Sequence, residues 1–162
     1  MLRYIKRLLL RATGRNSSEG QIILKGGWPA QLLLPPIDVL VDVGVGHQGT
    51  PGLYKNFDSC SFVFIDPLAE CQKAVEFYLK EDEKNIFIEC ALGEKNEYRE
   101  INVSDNMLSR SSFDKVMPVK ADAKEQVSRR LVEVCKMDDI KQLQKAISEK
   151  RYGIKIDVEG HE

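Results

Sequence analysis

The residues able to do chemistry gather at two places in this chain. The first is Val41-Asp42-Val43-Gly44-Val45-Gly46-His47-Gln48-Gly49-Thr50. Glycines let a backbone turn sharply and approach a ligand with no Cβ in the way. Gly44, Gly46 and Gly49 spell G-x-G-x-x-G, the pattern of dinucleotide-binding loops. Asp42, two residues before the first glycine, bears on which ligand such a loop would hold. At the mouth of a site its carboxylate repels a pyrophosphate and attracts an ammonium or a sulfonium. At close range that is on the order of a few kcal/mol before desolvation. The sign favours S-adenosylmethionine over NAD(P). The other reading of Asp42 is a cap on the nearby turn.

A further acid follows in Phe64-Ile65-Asp66-Pro67, about twenty residues beyond Gly46. A carboxylate there accepts hydrogen bonds from the hydroxyls of a ribose. NAD(P) and S-adenosylmethionine share that ribose, so Asp66 points to an adenosine-type cofactor without choosing between them. A plainer reading, an acid ahead of a proline-started helix, also stands.

The second place is the segment Gly153-Ile154-Lys155-Ile156-Asp157-Val158-Glu159-Gly160-His161-Glu162. Asp157 and Glu159 lie two apart, so on a strand both point to one side. Either carboxylate could orient or deprotonate an acceptor hydroxyl. The competing roles are binding backbone amides or holding the amino-acid end of a cofactor. His47 and His161 titrate near neutral pH, but a loop histidine is more often a polar surface residue. Cys60, Cys71, Cys90 and Cys135 form no C-x-x-C pair, and no ligands cluster as a zinc site requires. The four read as buried free thiols in a reducing compartment, hence the cytoplasm.

These segments need a frame. Val39–Val43 is a β-branched apolar run ended by glycines, the mark of a buried strand. Thr50-Pro51 suits an N-cap and first helical residue, opening a short helix to about Phe57. Phe62–Ile65 is a second buried strand. From Pro67, a helix is predicted with Leu68, Cys71, Val75, Tyr78 and Leu79 as its apolar stripe. Ile86–Cys90 is a third strand. Residues 97–104 alternate as a half-exposed strand. Residues 105–129 are polar and undefined, and Leu131–Val134 is a further short strand. Asp138 or Asp139 caps a helix carrying Ile140, Leu143 and Ile147, and Gly153–Val158 is the last strand. Strands alternating with helices predict an α/β fold with a doubly wound, mostly parallel sheet.

Composition narrows the partners. The formal net charge of -1 argues against nucleic acid, whose phosphates call for a basic excess. No apolar run approaches the roughly 20 residues of a membrane span. Residues 1–36 read as a separate leader. Leu2, Ile5, Leu9 and Ala12 sit near helical spacing among Arg3, Lys6, Arg7, Arg11 and Arg15, followed by glycine- and proline-rich loop. Such a helix either packs on its own domain or rests peripherally on an anionic membrane surface.

The closing segment resembles the K-I-D-V-E-G-x-E signature of FkbM-type methyltransferases. Other landmarks agree in order. Asp42–Gly46 followed by Gly49-Thr50-Pro51 and Leu53-Tyr54 is similar to that family's cofactor loop, with one extra residue around His47 or Gln48. Phe64-Ile65-Asp66-Pro67-Leu68, Ala91-Leu92-Gly93, Ser111-Ser112 and Lys136–Ile140 are similar to later elements. The resemblance covers roughly residues 37–162. It implies a Rossmann-like class I methyltransferase fold, with the cofactor touching Asp42, Gly44, Gly46, Asp66 and Ala91. It also implies methyl transfer from S-adenosylmethionine, generally to a hydroxyl of a sugar, lipid or small metabolite. Asp157 and Glu159 are then the catalytic carboxylates. Some related enzymes bind magnesium at the position of Asp157, but no partner ligands are visible, so no metal is expected. The family's strand order is 3-2-1-4-5-7-6, so residues 37–162 are expected to supply the cofactor half and to be incomplete at the C-terminus. A fragment of that kind is expected to be inactive alone. An NAD(P)-linked oxidoreductase and a non-catalytic interaction module remain the alternatives.

Overall fold

The computed structural model describes residues 36–104, 108, 111–113 and 127–158. The leader predicted over residues 1–36 falls outside this set but for Pro36. So do most of 105–129 and the Glu159–Glu162 end, with Glu159 and His161.

The two most apolar runs become the central strands. β1 (Val39–Val43) is buried along its whole length, and β2 (Ser61–Asp66) is buried from its second residue. Between them, Pro51 starts the short helix α1 (Pro51–Asn56), where a missing N–H costs nothing. Thr50 holds the N-cap position through its carbonyl, which accepts from Leu53 and Tyr54, and its side chain makes no cap bond.

The helix predicted from Pro67 divides into a 3-10 segment, Ala69–Val75, and α2 (Glu76–Glu81). Leu68, Cys71 and Val75 still face inward. Tyr78 packs edge-on against Tyr54 and Phe62. β3 (Ile86–Glu89) completes this side. After a second 3-10 turn and α3 (Lys141–Ile147), the last strand, labelled β7, runs Tyr152–Ile156, starting one residue before and ending two residues before the predicted strand. The expected aspartate cap on α3 is not made. Asp138 and Asp139 lie in the 3-10 turn Met137–Asp139, Ile140 occupies the N-cap, and Asp139 instead accepts from Asn96 at 2.8 Å.

The four strands form one sheet in the order β3-β2-β1-β7, with every neighbouring pair parallel. Strand alternation sends Leu40, Phe62 and Phe64 to one face, against Leu53, Tyr54 and Leu68. It sends Val39, Val41, Val43, Val63 and Ile65 to the other, against Ile140, Leu143 and Ile147 of the α3 region. A parallel sheet covered on both faces is the Rossmann-like α/β architecture the sequence predicts.

A second sheet, of three strands, was only partly legible. β4 (Ala91–Leu92) runs parallel to β6 (Val127–Cys135), which pairs antiparallel with β5 (Glu97–Ser104) over eight residue pairs. The short strand predicted at Leu131–Val134 is the inner part of β6. Ile101, Val103 and Val132 turn from this sheet into the Leu40–Phe64 core. No helix among the described residues is long and apolar enough to cross a membrane.

Candidate functional site

Parallel strands all end on the same edge, and side chains beyond those ends converge there. Here the ends of β1, β2, β3 and β7 surround a cleft of about 290 Å³. Its floor and walls include Gly44, Gly46, Asp66, Ala91, Lys155 and Asp157. Leu108, Ser111, Ser112 and Phe113 close the side toward β5. Ser112 bridges Asn102 of β5 through reciprocal backbone hydrogen bonds, which fixes that wall.

The glycine loop needs its glycines for backbone reasons. Gly44 and Gly46 have φ of +79° and +62°, a region L side chains rarely adopt. Gly44 also lies against the end of β7, where an added Cβ would fall 2.0 Å from the Asp157 carbonyl oxygen. The Asp157 N–H donates to the Val43 carbonyl at 3.0 Å. The loop and the end of β7 are thus in backbone contact.

Asp66 ties the second strand to this loop. Its Oδ2 accepts from the Gly46 N–H and its Oδ1 from the Leu68 N–H, each at 2.9 Å. Both sequence readings of Asp66 therefore have a structural counterpart: it caps the turn after β2 and it lines the cleft. Ala91 lines the cleft beside Cys90 and Leu92. Asp157 stands at the lip with 67% of its side chain exposed.

Asp42 requires a correction of place. The sequence put it at the mouth of the site, but it is completely buried beneath the loop and does not line the cleft. The alternation of β1 explains this. Asp42 follows Leu40 onto the face covered by α1, where the Tyr54 hydroxyl donates to its Oδ2 at 2.5 Å. Lys155 pairs with Oδ1 at 2.9 Å. Burial pushes the Asp42 carboxyl above its usual range, opposed by the Lys155 ammonium and the Tyr54 hydroxyl. The same burial and the Asp42 charge push the Tyr54 hydroxyl up. The charge argument built on Asp42 thus loses its geometric basis, because a cation already answers it.

Lys155 is the residue that the sequence reading passed over. Its ammonium also donates to the Gly44 carbonyl at 2.8 Å and lies 3.7 Å from Asp157 Oδ2. A signal was present: one cation in an apolar strand, Ile154-Lys155-Ile156, and one anion in another, Val41-Asp42-Val43. Buried charges require partners, and these two are register partners across β1 and β7.

All four cysteines are free, and Cys60, Cys71 and Cys90 are buried. Burial raises their thiols, that of Cys90 to about 12. Among the described residues no group of three or more His, Cys, Asp or Glu is arranged to hold a metal ion. His47 is exposed at the loop tip.

This is a Rossmann-like α/β domain with a ligand cleft where its parallel strands end. The model of the Methyltransferase FkbM domain matches residues 42–162, about three quarters of the chain. The chain belongs to the FkbM methyltransferase family, and its domain is a methyltransferase domain. No curated protein and no solved structure matches it.

Proposed function

We propose that this domain uses S-adenosylmethionine to methylate a hydroxyl of a sugar, lipid or small metabolite. The observation that carries the cofactor choice is the hydrogen bond from Gly46 N–H to Asp66 Oδ2. In a pyrophosphate-binding loop the glycine amides face phosphate and the helix N-terminus adds its own donors. Here the Gly46 amide is engaged by a carboxylate and the Gly44 amide by the Ile65 carbonyl. α1 has only six residues and begins at a proline, which has no N–H to offer. At these two glycines the loop therefore turns a carboxylate toward the cleft where a pyrophosphate loop would turn amide donors. That suits a cationic nucleoside and opposes NAD(P).

The chain's own residues fit such a ligand. Each Asp66 oxygen keeps a lone pair for a ribose hydroxyl. Leu68, Cys90, Ala91 and Leu92 offer an apolar surface to a base. The left-handed glycines let the loop lie close against the end of β7 and against Tyr54. S-adenosylmethionine would supply an electrophilic methyl group on a sulfonium. In this reading Asp157, exposed at the lip, orients an acceptor hydroxyl and takes its proton, with Glu159 as the second carboxylate. We retain the cytoplasm as the compartment on the strength of the free cysteines. The family suggests a glycan or small-molecule acceptor, and the net charge of -1 argues against a nucleic-acid partner.

Equilibrium dialysis against S-adenosylhomocysteine and NADH tests the cofactor. Retention of the first alone is expected, and retention of NADH alone would overturn the reading. Transfer of labelled methyl from S-adenosylmethionine to a panel of hydroxylated acceptors then tests the chemistry.

A further inference from the structure

The Lys155 ammonium sits where three elements meet. It reaches the Gly44 carbonyl at 2.8 Å, the Asp42 carboxylate at 2.9 Å and the Asp157 carboxylate at 3.7 Å, with 10% of its side chain exposed. Burying a flexible cation costs rotamer entropy and hydration, so its position must be held by what it touches. Asp42 is itself held by Tyr54, whose ring lies among Phe62, Phe64 and Tyr78. Tyr54 also borders the far end of the loop: a Cβ on Gly49 would meet its hydroxyl at 3.1 Å. Lys155 thus abuts the loop at its first glycine and Tyr54 at its last, and Asp42 joins the two from beneath.

We infer that Lys155 is a positioning residue: by donating to the Gly44 carbonyl it sets the conformation of the glycine loop, with Asp42 and Tyr54 fixing its ammonium. The lysine belongs to the strand that presents Asp157, so it also keeps the loop in register with the lip of the cleft. Asp42 does its work through this cation and not by facing a ligand. The ligand part of this inference rests on the proposed cofactor; the loop part does not.

The test compares wild type, Lys155→Met and Asp42→Asn/Lys155→Met in the full chain. The readouts are thermal melting, hydrogen exchange of the Gly44 and Gly46 amides, and titration with S-adenosylhomocysteine. Lys155→Met leaves Asp42 buried without its cation and should melt well below wild type. The double variant removes both charges and should regain most of that loss. Its two loop amides should nevertheless exchange roughly 10- to 100-fold faster than in wild type, the range for a lost charged hydrogen bond, with the β2 and β3 amides unchanged. S-adenosylhomocysteine should bind it more weakly by a similar factor. If the double variant restores loop protection, Lys155 only neutralises Asp42 and the inference falls. Faster exchange spread evenly over all strands overturns it too, because a purely structural role predicts that result. If Lys155→Met does not fold, the double variant decides alone. If wild type binds no S-adenosylhomocysteine, the cofactor proposal fails and the exchange comparison still judges Lys155.

Discussion

Replacing Gly44 with alanine should damage this protein out of proportion to one methyl group. Two costs can be worked out separately. The residue has φ of +79°, and placing an L side chain in left-handed backbone costs roughly 1–2 kcal/mol. The new Cβ would also sit 2.0 Å from the Asp157 carbonyl oxygen, a backbone atom that no rotamer change can move away. Relief requires shifting the end of β7, which gives up the Asp157-to-Val43 hydrogen bond at a net cost of about 1 kcal/mol. The total is at least about 2–3 kcal/mol, or a drop of roughly 4–12 °C in Tm for a domain of this size. Gly153→Ala is the matched comparison, on β7 opposite Leu40 of β1. Its Cβ would meet the Ile37 Cδ1 at 3.1 Å, the free end of a flexible side chain. The lowered entropy of the unfolded chain, about 0.4–1 kcal/mol, offsets that contact. Gly153→Ala should therefore melt within a few degrees of wild type. Thermal unfolding followed by circular dichroism measures both. Equal effects from the two substitutions, or a wild-type melt from Gly44→Ala, would refute the close approach of loop and strand.

Other outcomes follow from other contacts. Asp66→Ala should weaken S-adenosylhomocysteine binding by about 1–3 kcal/mol in a calorimetric titration, and unchanged affinity would confine Asp66 to a structural role. Tyr54→Phe leaves Asp42 Oδ2 buried without its donor, so denaturant titration should show a loss of about 1–3 kcal/mol. The Arg151 guanidinium and backbone N–H bond Asp38, holding its carboxyl down at about 2. A carboxyl lowered by folding stabilises the native state above its usual value of 3.8, and that contribution disappears as pH falls toward 2. Arg151→Ala should flatten the Tm-versus-pH curve between those limits; an unchanged slope there would remove Asp38 as its source. Cys71 and Cys90, whose thiols burial raises, should react with a thiol-specific reagent at neutral pH far more slowly in folded than in unfolded protein.

What the sequence discloses depends on whether a feature is local. β1 and β2 were legible because their β-branched and aromatic runs are buried on both faces and bounded by glycine or proline. The glycine loop was legible because glycine spacing directly limits backbone conformation. The position of Asp42 was not, because which face a strand residue takes depends on what covers each face. The Lys155–Asp42 pair was hidden for a related reason: it exists only through the register of β1 on β7, which no local pattern specifies. The antiparallel partnership of β5 and β6 was also obscured. Val127-Ser128-Arg129-Arg130 carries too little apolar character to announce a strand, and the intervening residues are polar. The 3-10 geometry of Ala69–Val75 gave no sign, since the spacing of Leu68, Cys71 and Val75 suits an α-helix equally well.

The central position of β1 has a consequence for the order in which this domain assembles. At its head, Cys60 reaches back 23 residues to Ile37 on the β2 side, while Arg151 reaches back 113 residues to Asp38 on the β7 side. Closing the longer loop costs roughly 1.4 kcal/mol more in chain entropy. Pairs close in sequence form early and distant ones late. β1, α1 and β2 can therefore collapse together while β7 is still unattached, and on a ribosome they must wait for it. Until β7 docks, Asp42 has no cation and Gly44 lacks its close contact with the Asp157 carbonyl, keeping only its bond to β2. The glycine loop would acquire its working shape in the last step of folding and lose it in the first step of unfolding.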